Sequence, residues 1–157
     1  MDDEIFIARY VADKLDAKDL VQFADNKLKQ GIFSECLLNI LDEEPKFWGS
    51  VSVLFEKAVN ELGYKIPSLE EAIWILIKYH ITLISQGCIS PTKQFREMLN
   101  DIDRFDLYKG SKEDIGDNIG ISKMYSLYHE QSDSIVKANQ GIYMESLTWM
   151  TIYCSDQ

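Results

Sequence analysis

Apolar residues recur at helical spacing along most of the chain, and the resulting stripes predict a succession of short amphipathic helices. In the N-terminal half the stripes cover residues 3–15, 17–30, 34–41 and 47–62. Gly31 and Gly63 directly follow two of these segments, where a glycine commonly ends a helix. Pro45 follows the third segment and disfavours helix at the residue before it.

The most distinct helix start lies at Ser68, which is expected to be an N-cap residue. Glu71 stands three residues later and completes a capping box. The helix that follows is apolar almost all round as far as Ile84, which predicts a central, buried helix. A further helix is expected to begin with Ser90 as its N-cap and Pro91 at its first position.

The C-terminal third has a different character. Residues 104–120 are polar and contain three glycines, which predicts a long loop, and residues 121–130 then read as a helix. Residues 135–154 fit either a helix or a strand, and we favour the helix. The whole pattern predicts a predominantly all-α fold, formed by antiparallel helical hairpins in a single domain over residues 1–157, with a small β element at the C-terminus as the alternative.

The charge balance is strongly acidic. The 157 residues include 26 acidic and 16 basic side chains, for a net charge of −10 and a pI near 4.6. Such a surface repels nucleic acids and anionic lipid headgroups and favours a basic protein partner. The acidic start Asp2-Asp3-Glu4 differs from the basic start of a signal peptide, and no apolar run reaches the ~20 residues of a membrane span. We therefore expect a cytoplasmic protein.

The cysteines give no sign of a disulfide framework or of a metal site. Cys36, Cys88 and Cys154 are widely spaced and odd in number, and no CxxC pair is present. Cys88 with His80 is one spacing that would suit a nucleophile and its base, but burial of His80 in an apolar helix is the more ordinary interpretation. The sequence therefore predicts no catalytic residue, no metal and no cofactor.

One segment of the predicted loop combines carboxylates with apolar and aromatic side chains. Apolar anchors surrounded by charge are typical of specific protein interfaces, and carboxylates speed the encounter with a basic partner. A calcium loop of the EF-hand type is disfavoured, because Lys112 occupies the position of the required glutamate. The predicted partner-binding residues are Asp101, Asp103, Phe105, Asp106, Tyr108, Glu113, Asp114 and Asp117.

In its length, its charge of −10 and its acidic and aromatic stretch from Asp101 to Asp117, the chain resembles the small acidic immunity proteins of bacterial toxin–immunity systems. That resemblance implies a non-enzymatic inhibitor. It would bind a basic toxin, pair its carboxylates with the toxin's lysine and arginine residues, and block the toxin's substrate cleft.

Two other functions stay open at the level of sequence. The first is a hydrolase that uses His129 with Glu130 or Asp133, with or without a metal, although Asp133 stands where a zinc HExxH motif needs its second histidine. The second is a helical adaptor that binds an amphipathic helix in a groove near Trp74, or a regulatory protein that forms homodimers.

Overall fold

Helices account for the regular structure of this chain in a computed structural model that describes residues 2–87, 90–110, 114–130 and 134–154. Within these ranges there are eight α-helices, one 3-10 helix and no strand. The predicted all-α fold is therefore confirmed. The chain divides into two compact units, Met1–Ala72 and Ile73–Gln157. The assignment of residues 1–157 to a single domain stays a prediction.

The helices follow the predicted order. Their bounds are α1 Asp3–Val11, α2 Ala17–Lys29, α3 Glu35–Asp42, α4 Trp48–Glu61, α5 Leu69–Ser85, α6 Pro91–Asp101, α7 Ser122–His129 and α8 Ile135–Tyr153, with a 3-10 helix at Asp117–Ile119. The ambiguous C-terminal segment is thus a helix, as favoured above, and not a strand.

In the N-terminal unit the first helix is shorter than its apolar pattern suggested. The expected helix over residues 3–15 is wrong beyond Val11, because Asp13 adopts the left-handed conformation with φ 63°. The N–H of Lys14 then donates to the carbonyl of Arg9, which closes the helix end. The next helix begins at once, with a capping box between Asp16 and Asp19.

An aromatic cluster forms the centre of this unit. Phe6 stacks on Phe23 with ring centroids 4.7 Å apart, and Phe55 meets Phe23 edge to face at 5.4 Å. Helices α2, α3 and α4 pack against one another around these rings. Phe55 is fully buried, so it contributes the ~2–3 kcal/mol expected for removing a large apolar side chain from water. The buried residues of this core are Ile7, Leu20, Phe23, Ala24, Cys36, Leu37, Ile40, Val51, Phe55, Ala58 and Val59.

A buried lysine ties α1 to α2 at the edge of that core. Lys27 is almost fully buried and forms an ion pair with Asp3. The hydroxyl of Tyr64 also donates to the Asp3 carboxylate. Burial by itself would raise the pKa of Asp3, but the hydrogen bonds from Lys27 and Tyr64 outweigh it and hold the pKa below its ordinary value of 3.8.

The capping box at the start of α5 is present as predicted. The N–H of Ser68 donates to the Glu71 carboxylate over 2.7 Å, and the N–H of Glu71 donates to Ser68 Oγ over 3.2 Å. The helix is buried over much of its length, as the sequence indicated. Its fully buried residues are Ala72, Ile73, Leu76, Ile77, His80, Ile81 and Ile84.

In the C-terminal unit, α6 and α7 both pack on α8, and α8 also caps α6. Ser90 was expected to cap α6, but its side chain makes no cap hydrogen bond. The Asn139 side chain of α8 accepts instead from the backbone N–H of Thr92 over 2.9 Å, and also from the hydroxyls of Ser90 and Thr92. The cap is therefore supplied by a residue about 50 positions away, while Pro91 occupies the first helical position as predicted.

Asp3→Asn is expected to lower the free energy of unfolding by about 3 kcal/mol, because Lys27 would stay buried without a counter-charge. In a Lys27→Met background the same substitution should cost less than about 1 kcal/mol, since no buried charge remains to be balanced. Urea denaturation followed by circular dichroism measures both values. Equal costs in the two backgrounds would show that the ion pair is not the source of the loss.

The same ion pair predicts acid sensitivity. The pKa of Asp3 is lower in the folded chain than in the unfolded one, so its stabilisation is complete above about pH 4 and is lost as the pH falls through the folded value. Hydrogen bonds from Ser34 and Cys36 likewise hold the pKa of Glu61 below 4.5. The free energy of unfolding should therefore fall as the pH drops below about 4.5, and Asp3→Asn should flatten that fall. An unchanged slope would contradict the assignment.

Candidate functional site

The segment between α6 and α7, which the structure describes over residues 102–110 and 114–121, is held in shape by its own hydrogen bonds and is called the acidic loop. The N–H of Gly116 donates to the carbonyl of Leu107 over 3.1 Å, which joins its two halves. The amide nitrogen of Asn118 donates to the carbonyls of Asp106 at 3.1 Å and Lys109 at 3.0 Å. These bonds satisfy backbone groups that a loop would otherwise leave to water.

The C-terminal end of the acidic loop is fastened to α8. Ile119 is buried, and its carbonyl accepts a 2.9 Å hydrogen bond from the indole N–H of Trp149. The ring of Trp149 is also buried and stacks on Tyr153, with centroids 4.8 Å apart. Gly120 has φ 71°, and a Cβ there would lie 2.4 Å from the Tyr153 hydroxyl. The ring of Tyr153 thus packs so close to the backbone at position 120 that only a glycine fits there.

Four of the predicted partner-binding carboxylates are exposed in this loop. These are Asp103, Asp106, Asp114 and Asp117. Two of them also brace the loop: Asp106 accepts from the N–H of Tyr108 over 2.9 Å, and Asp117 accepts from the N–H of Asp114 over 3.2 Å. The Tyr108 side chain is 67% exposed beside them.

The other predicted partner-binding residues lie elsewhere. Asp101 is the last residue of α6, and its side chain, 14% exposed, lies against His80. Phe105 is half-buried. Glu113 lies outside the described residues. Of the eight predicted residues, the structure therefore exposes four carboxylates and one aromatic ring in the acidic loop.

The partner of Asp101 is a buried histidine that sequence patterns did not connect to it. The Nε2 atom of His80 lies 2.9 Å from Asp101 Oδ2, and its Nδ1 atom lies 2.5 Å from the amide nitrogen of Gln94. With Gln94 donating to Nδ1, the proton on Nε2 is donated to Asp101. Both ring nitrogens are satisfied, so His80 joins α5 to α6. No sequence motif signals a pair 21 residues apart on different helices.

His129, the centre of the hydrolase alternative, ends α7. Its ring packs against Tyr125 at 4.4 Å and Tyr128 at 5.3 Å between centroids. Glu130 follows as an exposed C-cap residue, and Asp133 lies outside the described residues. In the parts of the chain that the structure describes, no group of three or more His, Cys, Asp or Glu side chains is arranged to hold a metal ion.

The acidic loop together with Asp101, the last residue of α6, accounts for the net charge of the C-terminal unit. Residues 73–157 contain 11 acidic and 8 basic side chains, and residues 101–120 alone contain 6 and 3 of these. The remaining 5 acidic and 5 basic side chains of the unit cancel. The charge is thus concentrated on one loop and is not an even property of the surface.

The N-terminal unit has a larger but more dispersed charge, with 15 acidic and 8 basic residues. A cleft of about 510 Å³ lies between α1 and α2 and is lined in part by Asp2, Asp3, Asp19 and Lys27. The lysine in this cleft is already paired with Asp3. The cleft therefore shows no unsatisfied buried group that would call for a ligand.

Gly116 and Gly110 offer a matched test of how the acidic loop is held. Both have positive φ, 85° and 74°, so alanine at either position should cost roughly 1–2 kcal/mol of backbone strain. At Gly116 a Cβ would also lie 2.7 Å from Ile121 Cγ1, whereas at Gly110 it would meet nothing within 4 Å.

Gly116→Ala should therefore lower the free energy of unfolding by about 1–3 kcal/mol more than Gly110→Ala, as measured by denaturation. It should also speed amide exchange at Ile121, whose N–H bonds to Gly116. Equal effects of the two substitutions would contradict this account.

None of the helices described above combines the length and apolar character that crossing a lipid bilayer requires. The chain matches no protein-family model, no curated protein and no solved structure.

Proposed function

We propose that this chain is a non-enzymatic protein-binding protein, an immunity-type inhibitor that neutralises a basic toxin, with the acidic loop as its binding surface. The observation that carries the proposal is the exposure of four carboxylates on a loop whose backbone is internally hydrogen-bonded. The proposal includes a cytoplasmic location, as the resemblance to immunity proteins implies.

The fixed backbone matters because it lowers the cost of binding. A flexible loop loses conformational entropy when a partner orders it, and that loss subtracts from the affinity. Here Asn118 and Gly116 already hold the loop closed. More of the attraction between the carboxylates and a basic surface is then retained as affinity.

The chemical character of the loop matches a basic protein surface. Clustered carboxylates accelerate encounter with a basic partner, and they form charge-assisted hydrogen bonds with arginine and lysine. Tyr108, exposed among them, supplies the kind of aromatic anchor that often dominates interface energetics. A toxin that binds an anionic substrate would have its basic cleft occupied by the loop, and inhibition would follow from that occlusion.

Asp114 is the most informative residue to change. Its backbone N–H contributes to the loop, but its side chain is exposed. Asp106 and Asp117, in contrast, use their carboxylates to hold the loop, so replacing them would disturb its shape as well as its charge. Glu97 is an exposed acidic residue on α6, and Glu97→Lys changes the net charge by the same amount.

We expect wild type and Glu97→Lys to retain the same basic protein from a lysate of the native host, at near-stoichiometric amounts in low salt. Asp114→Lys should lose most of it, and salt should weaken the retention by wild type, because the contacts are electrostatic. The retained protein, once purified, should lose its toxic activity when titrated with wild type and keep it with Asp114→Lys. Equal retention by all three proteins, or binding without inhibition, would refute the proposal.

A further inference from the structure

The helix that leads into the acidic loop is held at both ends by side chains from other helices of the C-terminal unit. At its start, Asn139 of α8 accepts a hydrogen bond from the backbone N–H of Thr92 over 2.9 Å. At its end, the carboxylate of Asp101 lies 2.9 Å from Nε2 of His80 on α5. Asp101 is the last residue of α6, and the acidic loop begins with the next residue. The second contact therefore lies at the point where the chain enters the loop.

His80 is a polar residue on a buried face of α5 that is otherwise apolar. Its side chain is 1% exposed. The other buried residues of α5 in this unit are Ile73, Leu76, Ile77, Ile81 and Ile84. A buried polar group costs free energy unless it is hydrogen-bonded, and an apolar side chain of similar size would fill such a position without that requirement. Burial alone therefore does not account for a histidine here. What the histidine adds is a hydrogen bond with a defined direction.

Gln94 determines which nitrogen of His80 carries the proton. Its amide nitrogen lies 2.5 Å from Nδ1, and Gln94 is itself buried. With the amide donating to Nδ1, the imidazole proton is on Nε2 and is donated to Asp101. Gln94 and Asp101 are about two turns apart on α6, so the same helix contacts both nitrogens of the ring. The N–H of the imidazole is thus directed at the last residue of α6.

The Asp101 carboxylate needs a donor because of its place in the chain. It belongs to the last residue of a helix, and the C-terminal end of a helix carries partial negative charge on its carbonyl groups. Asp103 and Asp106 follow within five residues, and like charges so close together repel one another. Only 14% of the Asp101 side chain is exposed, so water and salt screen little of this repulsion. The N–H of His80 offsets it and holds the carboxylate against α5.

We propose that His80, oriented by Gln94, is a positioning residue of the acidic loop, and that Asp101 anchors the loop and does not itself contact the partner. This inference rests on the proposed function, because it concerns the shape in which the loop binds. Ile102, the first residue of the loop, is 1% exposed, so a buried apolar side chain adjoins the anchor. The N–H of Phe105 donates to the carbonyl of Ile102 over 2.8 Å and closes the first turn of the loop.

The anchor affects binding because it holds the end of the loop opposite to the bond between Trp149 and Ile119. With both ends held, the exposed carboxylates of Asp103 and Asp106 keep their positions before a partner arrives. Release of the first end would let the last turn of α6 fray, and a partner would then have to order that segment at a cost in conformational entropy. Loss of the anchor should therefore lower the affinity for the partner without removing any contact to it.

Two substitutions of Asp101 separate anchoring from direct contact. Asparagine keeps a side-chain oxygen that can accept from Nε2 of His80 but removes the charge, whereas alanine removes both. An anchor should tolerate Asp101→Asn and not Asp101→Ala, while a carboxylate that contacts a basic partner should lose affinity with either substitution. Asn139→Ala is the matched control, because it removes a side-chain hydrogen bond from the other end of α6.

Amide hydrogen exchange of the full chain, followed by NMR, measures the loop without any partner. Asp101→Ala should speed exchange at the Phe105 amide by at least about tenfold, as expected for loss of a hydrogen bond to a charged group, and Asp101→Asn by less than about threefold. In a His80→Leu background Asp101→Ala should add little, since the donor is already absent. Asn139→Ala should leave the Phe105 amide unchanged. Equal effects of the two Asp101 substitutions at Phe105, or no effect of either, would overturn the proposal.

Binding separates a failure of this inference from a failure of the proposed function. The probe is the basic protein that wild type retains from the host lysate, purified and titrated against each variant. Asp101→Asn and Asn139→Ala should bind it within about threefold of wild type, and Asp101→Ala at least about tenfold more weakly. If the two Asp101 variants bind alike, the anchor is overturned while the inhibitor function stands. If wild type retains no basic protein, the proposed function fails, and the exchange rates at Phe105 still decide whether His80 positions the loop.

Discussion

The hydrogen bond from the indole N–H of Trp149 to the carbonyl of Ile119 joins two parts of the chain that differ in their physical character. On one side is the buried indole of Trp149, which stacks on Tyr153 of α8, and on the other is the end of a loop rich in like charges. Carboxylates close together repel one another, so such a loop does not hold a single shape through its side chains alone. The hydrogen bond from Trp149 and the burial of Ile119 instead hold the C-terminal end of the acidic loop in one position.

Helix α8 carries this arrangement because its two faces are chemically distinct. Its inward face has small residues where neighbours come close: Ser146 is fully buried, and a Cβ on Gly141 would lie 2.9 Å from Leu127 of α7. Asn139 on the same helix caps α6. Helix α8 thus fixes the C-terminal end of the acidic loop at Ile119 and also caps the start of α6, the helix that leads into the loop.

The sequence predicted the features that depend on neighbouring residues and missed those that depend on distant ones. Helical periodicity gave the all-α fold, and the Ser68–Glu71 box and Gly31 marked their helix ends correctly, because each acts within a few residues. The end of α1 was wrong because Asp13 left the helix against its apolar pattern. The pair of Asp101 with His80 was missed because it joins separate helices. Composition identified the acidic segment, but the exposure of each carboxylate depends on contacts between distant residues, which composition does not show.

The way the acidic loop is held also bears on the proposed binding of a basic protein. Attraction between the acidic loop and a basic protein is coulombic, so added salt screens it. The loop itself is held by hydrogen bonds from Asn118 and Trp149 and by the burial of Ile119, which do not depend on the net charge. Salt should therefore weaken the proposed association without changing the shape of the loop that makes it.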